Sequence, residues 1–144
     1  MGTVLDFVNN LKRIRSMIPN QVEQCLKTNE EEIINLQQDQ LYAGERSDGS
    51  KITPYYKPFT IKKKKEKKQP FDRVTLYDQG NFYAGFKTKY FSGQSKLDIF
   101  NTDSKSKDLI GDYGKNIIGL NADNERFVNQ LVFEWLENFI KKEI

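Results

Sequence analysis

The lysine-rich segment 62–68 is the part of this 144-residue sequence with the clearest potential for chemistry. It reads Lys-Lys-Lys-Lys-Glu-Lys-Lys and carries a net charge of +5, whereas the whole chain carries +3, so the remaining residues sum to −2. Ammonium groups at this density attract nucleic-acid phosphates without regard to base sequence. The candidates for non-specific contact with DNA are Lys62, Lys63, Lys64, Lys65, Lys67 and Lys68.

An acidic protein surface would explain the same lysines as well as nucleic acid does. The segment has no interleaved aromatic residues on which bases could stack. The chain also uses 18 Lys and 5 Arg, although Arg is the better bidentate ligand of phosphate. Electrostatic docking onto the acidic rim of a neighbouring subunit therefore stays open as an explanation, and so does a solvated loop without any partner.

The side chains that most often carry catalysis are scarce. The chain has no histidine and one cysteine, Cys25, which rules out a histidine-based triad and the usual Cys/His zinc site. Neither of the common Gly-rich phosphate-binding loops is present. Asp72 and Asp78 are the carboxylates that could flank a catalytic cleft, but the place of Asp78 before a short apolar segment is typical of a helix cap. The sequence therefore predicts a protein that is not an enzyme and needs no cofactor or metal.

One domain of the α+β class is expected to position these residues. The chain length suits a single core. A content of 37% hydrophobic and 12% aromatic residues predicts a folded chain rather than a disordered one. Within residues 1–144 we expect a helical part over 1–43, an extended basic loop region over 44–73, and an α+β part with a long final helix over 74–144.

Apolar residues at spacings of three and four predict two helices in the first part of the chain. The first begins near Val4 and is closed or restarted by Pro19, and the second stops before Gly44. We interpret the acidic run 30–32 as a solvated face, because consecutive helical residues point in different directions and cannot converge on one metal ion. Cys25 is expected to be a small buried apolar side chain rather than a reactive thiol.

A β-hairpin is predicted after the lysine-rich segment. Residues 86–91 and 96–101 have the composition of strands, and Gly93 between them supplies the loop conformation that such a hairpin prefers. We expect helices to cover one face of the resulting sheet. A brief helix over 104–113 should follow, and residues 117–120 should either pair at a sheet edge or pack as a turn.

The final helix, which begins near Asn121 or Asp123, carries apolar residues on more than one face. A chain of this size has difficulty burying all of them, so we expect part of the helix to meet another subunit, where large aromatic residues are favoured anchors. The aromatic residues around Pro54 form a second patch suited to such a contact. The candidate interface residues are Tyr55, Tyr56, Phe59, Phe127, Leu131, Trp135 and Phe139.

Several short motifs follow one another in a fixed order over residues 30–144. They are Asp48-Gly49-Ser50 with Pro54-Tyr55, the lysine-rich segment, the run Leu76-Tyr77-Asp78-Gln79-Gly80-Asn81-Phe82-Tyr83, the pair Tyr113-Gly114, and residues 117–121. This ordered set resembles the phage virion morphogenesis, or tail-completion, family. In this sequence Gln79 stands where that family usually has Thr, and Ile52-Thr53 stands where Trp is common.

The resemblance implies a non-catalytic virion protein that is assembled in the host bacterial cytoplasm. Its subunits would form a homo-oligomeric ring at the head–tail junction or at the end of the tail tube, with neck, portal or tail proteins as partners. No membrane contact is expected, because no apolar run reaches the roughly 18 residues of a membrane-spanning helix. The first ten residues also lack the basic segment and apolar core of a signal peptide.

Overall fold

Six α-helices and one two-stranded antiparallel sheet are present in the computed structural model, which describes residues 2–144. The predicted α+β class is confirmed, with helix predominating. The helices are α1 (Val4–Thr28), α2 (Glu30–Tyr42), α3 (Pro58–Glu66), α4 (Asn81–Ala84), α5 (Ser106–Tyr113) and α6 (Ala122–Glu143), and the strands are β1 (Phe86–Phe91) and β2 (Lys96–Asn101).

The two longest helices, α1 and α6, form an antiparallel pair that we call the two-helix arm. Near the start of α1, the side-chain amide of Asn10 donates to the carbonyl of Glu143 at 3.3 Å. Farther along α1, Gln21 accepts a hydrogen bond of 3.0 Å from the indole N–H of Trp135. Low residue numbers in α1 therefore meet high residue numbers in α6, as an antiparallel arrangement requires.

The prediction that Pro19 closes or restarts the first helix is wrong. α1 continues through Pro19 without a break, although an interior proline removes a hydrogen bond and costs about 3 kcal/mol. Contacts with α6 on both sides of Pro19, at Asn10 and at Gln21, stabilise the continuous helix. The break falls instead at Asn29, whose side-chain amide donates to the carbonyl of Cys25 at 2.8 Å.

Helix α2 lies at the centre of the apolar core. The side chains of Ile33 and Leu41 are fully buried, and they belong to two different clusters. Ile99 of β2 packs against both clusters, so the hairpin joins them. The first cluster consists of Leu41, Ile52, Val74, Phe82, Tyr83, Phe86 and Ile117, and the second of Leu26, Ile33, Leu120 and Val128.

The predicted hairpin is confirmed with the predicted strand bounds, and β1 and β2 pair antiparallel along their full length. The prediction for its turn is wrong in one respect. The loop conformation that Gly93 was expected to supply is supplied by Ser95, whose φ of +47° is left-handed. A 3₁₀ turn at Ser92–Gln94 fills the loop, so the left-handed residue is the one that ends this turn and leads into β2.

The segment 44–73 was predicted as an extended basic loop, and this is wrong for the part that forms α3. Pro58 begins that helix, at a position where proline is favoured because its missing N–H has no helical partner. The lysines that follow are good helix formers. The prediction that Asp78 caps a short helix is also wrong, because Gly80 with φ of +90° precedes α4 and no side chain caps it.

Two buried glutamines of α2 hold the turn that leads into α6. Gln37 accepts a hydrogen bond from the Gly119 N–H at 2.7 Å and donates to the carbonyl of Ile117 at 3.3 Å. Gln40 accepts one from the Asn121 N–H at 2.7 Å. The segment therefore packs as a turn rather than at a sheet edge, and Asn121 caps α6 as predicted.

Candidate functional site

The lysines within α3 and just after it point to different sides of the helix, and one of them is buried. Lys64 is 7% exposed. Its ammonium group donates to the carbonyl of Tyr77 at 2.6 Å and to the side chain of Gln69 at 3.4 Å. The same Nζ lies 4.8 Å from the ring centre of Tyr56. Lys64 therefore fixes α3 to the chain that follows it and is not part of a flat basic surface.

Three more of the predicted lysines have partners within the chain. Lys67 forms an ion pair with Asp78 at 2.6 Å. Lys63 lies over the ring of Phe59 at 4.7 Å, and Lys65 lies over the ring of Phe71 at 4.8 Å. The sequence showed no aromatic residues inside the lysine-rich segment, but the fold brings them in from its two flanks. Lys62 and Lys68 are exposed.

A cavity of about 330 Å³ lies between α3, the chain from Leu76 to Phe82 and the segment 105–113, which contains α5, and we call it the basic cleft. Its charged lining consists of four ammonium groups and one carboxylate, a net charge of +3. Sequence reasoning missed this cleft, because one of the four lysines lies far from the lysine-rich segment. The charged residues are Lys63, Lys64, Lys67, Lys105 and Asp78.

The pKa of Asp78 shows how the positive charges act inside the basic cleft. A hydrogen bond from Lys67 holds the pKa of Asp78 below its ordinary value, and the nearby charges of Lys67, Lys105 and Lys64 act in the same direction, against a smaller opposing effect of burial. The ammonium groups therefore converge on one place, where they stabilise a negative charge. This placement also shows why Asp78 is unavailable as a helix cap.

The motif residues around Asp78 form the inner wall of the basic cleft. Leu76, with φ of +58°, packs against the first core cluster, and Phe82 is 4% exposed within that cluster. A side chain at Gly80 would place its Cβ 3.3 Å from the hydroxyl of Tyr77, so the close approach of the chain favours glycine there. These residues of the Leu76–Tyr83 motif therefore have a structural role, because they hold the inner wall of the cleft against the core.

The aromatic patch predicted around Pro54 divides into buried and exposed members. The hydroxyl of Tyr56 accepts hydrogen bonds from the Thr75 N–H at 2.9 Å and the Leu76 N–H at 3.3 Å, and its partly buried side chain packs against the first core cluster. Tyr55 is 52% exposed and Phe59 is 68% exposed. Of these three interface candidates, only Tyr55 and Phe59 are available to a partner.

The interface candidates on α6 also separate. Leu131, Trp135 and Phe139 are half-buried, and the hydrogen bond from Trp135 to α1 places that residue in the seam of the two-helix arm. Phe127 is 43% exposed. Sequence reasoning missed Phe133 as an interface candidate, although it is 61% exposed.

A group of exposed apolar side chains lies at the free end of the two-helix arm, and we call it the apolar tip. Asn10 already contacts the end of α6, so the residues of α1 before it extend beyond α6. The sequence signal was the apolar pattern at spacings of three and four, which begins at Val4, before α1 reaches its contact with α6. The apolar tip consists of Val4 (81% exposed), Leu5 (66%), Phe7 (55%), Val8 (37%) and Ile144 (68%).

The total exposed surface is large for a chain of this mass. The chain exposes 9709 Å². A folded monomer of 16.9 kDa is expected to expose about 7,700 Å². The surplus of roughly 2,000 Å² is consistent with the extension of the two-helix arm away from the core.

Comparisons of the chain with protein-family models, with curated proteins and with solved structures found no match. Within residues 2–144, no three or more His, Cys, Asp or Glu side chains are grouped so that they could hold a metal ion. No helix in this described part of the chain combines the length and the apolar character needed to cross a membrane.

Proposed function

We propose that this protein is a structural subunit of a tailed bacteriophage, a tail-completion or head–tail connector component that acts by assembling into a ring. The apolar tip is the observation that carries the proposal. Exposed apolar surface of this kind marks a site of protein contact. The order of the motifs resembles the phage virion morphogenesis family, and this supports the proposal that the assembly belongs to a phage particle.

The surplus surface has the size of a protein interface. Stable interfaces bury about 1,200–2,000 Å² in total, or about 800 Å² on each partner. A ring member loses one patch to each of its two neighbours, so the surplus of roughly 2,000 Å² corresponds to two such patches. The chain therefore has enough uncovered surface for the contacts on both sides of a ring subunit.

Closure of a ring requires two unlike patches on each subunit. The apolar tip is the first. Phe127 lies near the opposite end of α6, and 16 residues of helix place it about 24 Å from Glu143. The exposed rings of Tyr55 and Phe59 lie outside the two-helix arm and offer further anchors. Separated patches of this kind permit the head-to-tail contacts of a ring.

The proposal is tested by the mass of the assembly in solution. We expect the wild-type chain to form an oligomer in analytical ultracentrifugation, and the double variant Val4→Ser/Phe7→Ser to remain monomeric with an unchanged circular dichroism spectrum. Phe100→Ser is the matched control, because Phe100 is an exposed aromatic residue on β2. It should assemble like the wild type.

A wild-type chain that stays monomeric at high concentration, or a double variant that assembles normally, would contradict the proposal. Electron microscopy of purified particles tests the particle itself. Antibody label at the neck or at the tail terminus is expected, and label found nowhere on the particles would exclude a virion role.

A nucleic-acid-binding accessory protein is a second candidate, favoured by the exposed Lys62 and Lys68. Four of the six candidate lysines have partners within the chain, so we expect few phosphate contacts. Two contacts give a slope of about −1.8 in a plot of log affinity against log salt for duplex DNA. The double variant Lys62→Gln/Lys68→Gln should abolish this slope. Unchanged DNA affinity in that variant would contradict nucleic-acid binding through these two lysines.

A further inference from the structure

The basic cleft has the dimensions of a small-molecule site. Its volume of about 330 Å³ lies at the lower end of the usual range for ligand pockets, about 300–1,000 Å³. Its walls come mainly from three separate parts of the chain, namely α3, the motif around Asp78 and the segment 105–113. The assembly role does not use this cavity, so its chemistry needs an explanation of its own.

Charge is the first feature of the basic cleft that defines a ligand. Lys105 takes part in none of the ion pairs found within residues 2–144. The ion pair between Lys67 and Asp78 is about half exposed on both sides, with side-chain exposures of 47% and 55%. An incoming anion can therefore contact Lys105 directly and share Lys67 with Asp78. The net charge of +3 favours such an anion over a neutral ligand.

The buried lysine distinguishes the basic cleft from a solvated charge run. An ammonium group is costly to bury unless hydrogen bonds compensate it. Lys64 obtains these bonds from the carbonyl of Tyr77 and from Gln69, and so it acts as a positioning residue for the wall. Its charge stays in the cleft without being neutralised by a carboxylate of its own.

Aromatic rings are the second feature that defines a ligand. Tyr56, Tyr77, Phe82 and Tyr113 all line the basic cleft. Phe82 is buried, and the Lys64 ammonium group lies over the ring of Tyr56. Tyr77 and Tyr113 are therefore the partly exposed rings that a ligand can contact. Faces of aromatic side chains bind planar ligands such as nucleobases by stacking. Leu109 adds an apolar wall between them and α5. The cleft thus combines a cluster of ammonium groups with a ring-lined interior.

We propose that the basic cleft binds a nucleoside monophosphate, with its phosphate between Lys67 and Lys105 and its base among the tyrosine rings. Lysine binds phosphate as a point charge and does not require the fixed fork of arginine. The same chemical group occurs as a free nucleotide and at the 5′-phosphorylated end of a nucleic-acid strand. The proposal is independent of the ring assembly.

Calorimetric titration of the full chain with adenosine monophosphate tests the proposal. We expect saturable binding that weakens about tenfold in Lys67→Gln and in Lys105→Gln, because each variant loses a charge-assisted hydrogen bond. Lys62→Gln and Lys68→Gln are matched controls, since they remove the same charge from exposed positions outside the cleft, and their affinities should stay within twofold. Asp78→Asn should bind several times more tightly, because it removes the competing carboxylate.

Several outcomes would overturn the proposal. These are no binding of adenosine monophosphate at millimolar concentration, equal losses in the control variants, or equally tight binding of inorganic phosphate, which would show that the rings contribute nothing. If a hexaglutamate peptide binds more tightly than adenosine monophosphate and loses the same affinity in the cleft variants, the ligand is an acidic protein segment and not a nucleotide.

Oligonucleotides distinguish the two sources of the ligand. A trinucleotide with a 5′-phosphate that displaces adenosine monophosphate, when the 5′-hydroxyl form does not, identifies a strand end as a ligand. Failure of both oligonucleotides to displace it identifies the free nucleotide. Thermal unfolding of each variant checks that it is folded, and the exposed character of the Lys67 ion pair makes loss of the fold unexpected.

Discussion

The two-helix arm and the core around α2 differ in how much of their surface is covered. In the core, Gln37 and Thr75 are fully buried, and no buried side-chain nitrogen or oxygen of residues 2–144 lacks a hydrogen-bond partner. In the arm, Val4 and Phe133 expose 81% and 61% of their surface. The core is therefore complete within one chain, whereas the arm has apolar surface that a second chain can cover.

Substitution of leucine by alanine should give the largest difference between the two regions. Leu41→Ala in the core is expected to lower the free energy of unfolding by about 2–5 kcal/mol, because it leaves a cavity. Leu5→Ala in the apolar tip should change it by less than about 0.5 kcal/mol. Urea unfolding at a concentration where the chain is monomeric measures both values.

The same leucine pair sharpens the comparison when assembly is measured. Leu5→Ala is expected to shift the association equilibrium toward monomer, whereas Leu41→Ala, which removes no exposed side chain, should leave the association of the folded chain unchanged. Equal losses of stability in Leu41→Ala and Leu5→Ala would show that the apolar tip is as well packed as the core, which would contradict the difference between the two regions.

Removal of a buried glutamine should have the next largest effect. Gln37→Leu leaves the Gly119 N–H and the Ile117 carbonyl without their partner, at a cost of about 2–4 kcal/mol in the free energy of unfolding. Gln130→Leu is the matched control, because Gln130 is exposed on α6 and bonds only to Glu134. Chemical denaturation of both variants gives the measurement, and similar values for the two would contradict the structural role of Gln37.

The ion pair of Asp78 should give the smallest effect. Because the pKa of Asp78 is lowered in the folded protein, its contribution to stability is present above the unfolded-state pKa of about 3.9 and is lost as the pH falls through the folded-state pKa. Both partners are about half exposed, so the contribution should be below about 1 kcal/mol.

Urea unfolding of wild type and Asp78→Asn at pH 6 and pH 2 checks this sign. The wild type should be slightly more stable at pH 6, and the difference should shrink at pH 2. A difference that grows toward low pH would mean that Asp78 is destabilising when it is ionised.

The hairpin and the last helix could be predicted from the sequence because their patterns are local. Strand composition around a short loop defines β1 and β2, and Asn121 before a long apolar pattern defines the start of α6. The passage of α1 through Pro19 could not be predicted, because the contacts that offset the proline come from a helix more than a hundred residues later.

The candidate site was predicted only as a set of lysines. Their number and local charge follow from the sequence, but their directions do not. Lys64 is buried because Tyr77, 13 residues later, presents its carbonyl to the ammonium group. Lys105 joins the cleft only because the fold brings the residue before α5 to the same cavity as α3. No short-range pattern records either contact.

By itself, the sequence determined the class of the fold, the hairpin, the last helix and the excess of apolar residues on that helix. Tertiary structure alone decided which of those residues stay uncovered and which lysines enclose a cavity. The physical reason is that helical and strand periodicity depends on neighbouring residues, whereas burial and electrostatic convergence depend on segments that are distant in sequence and meet only when the chain folds.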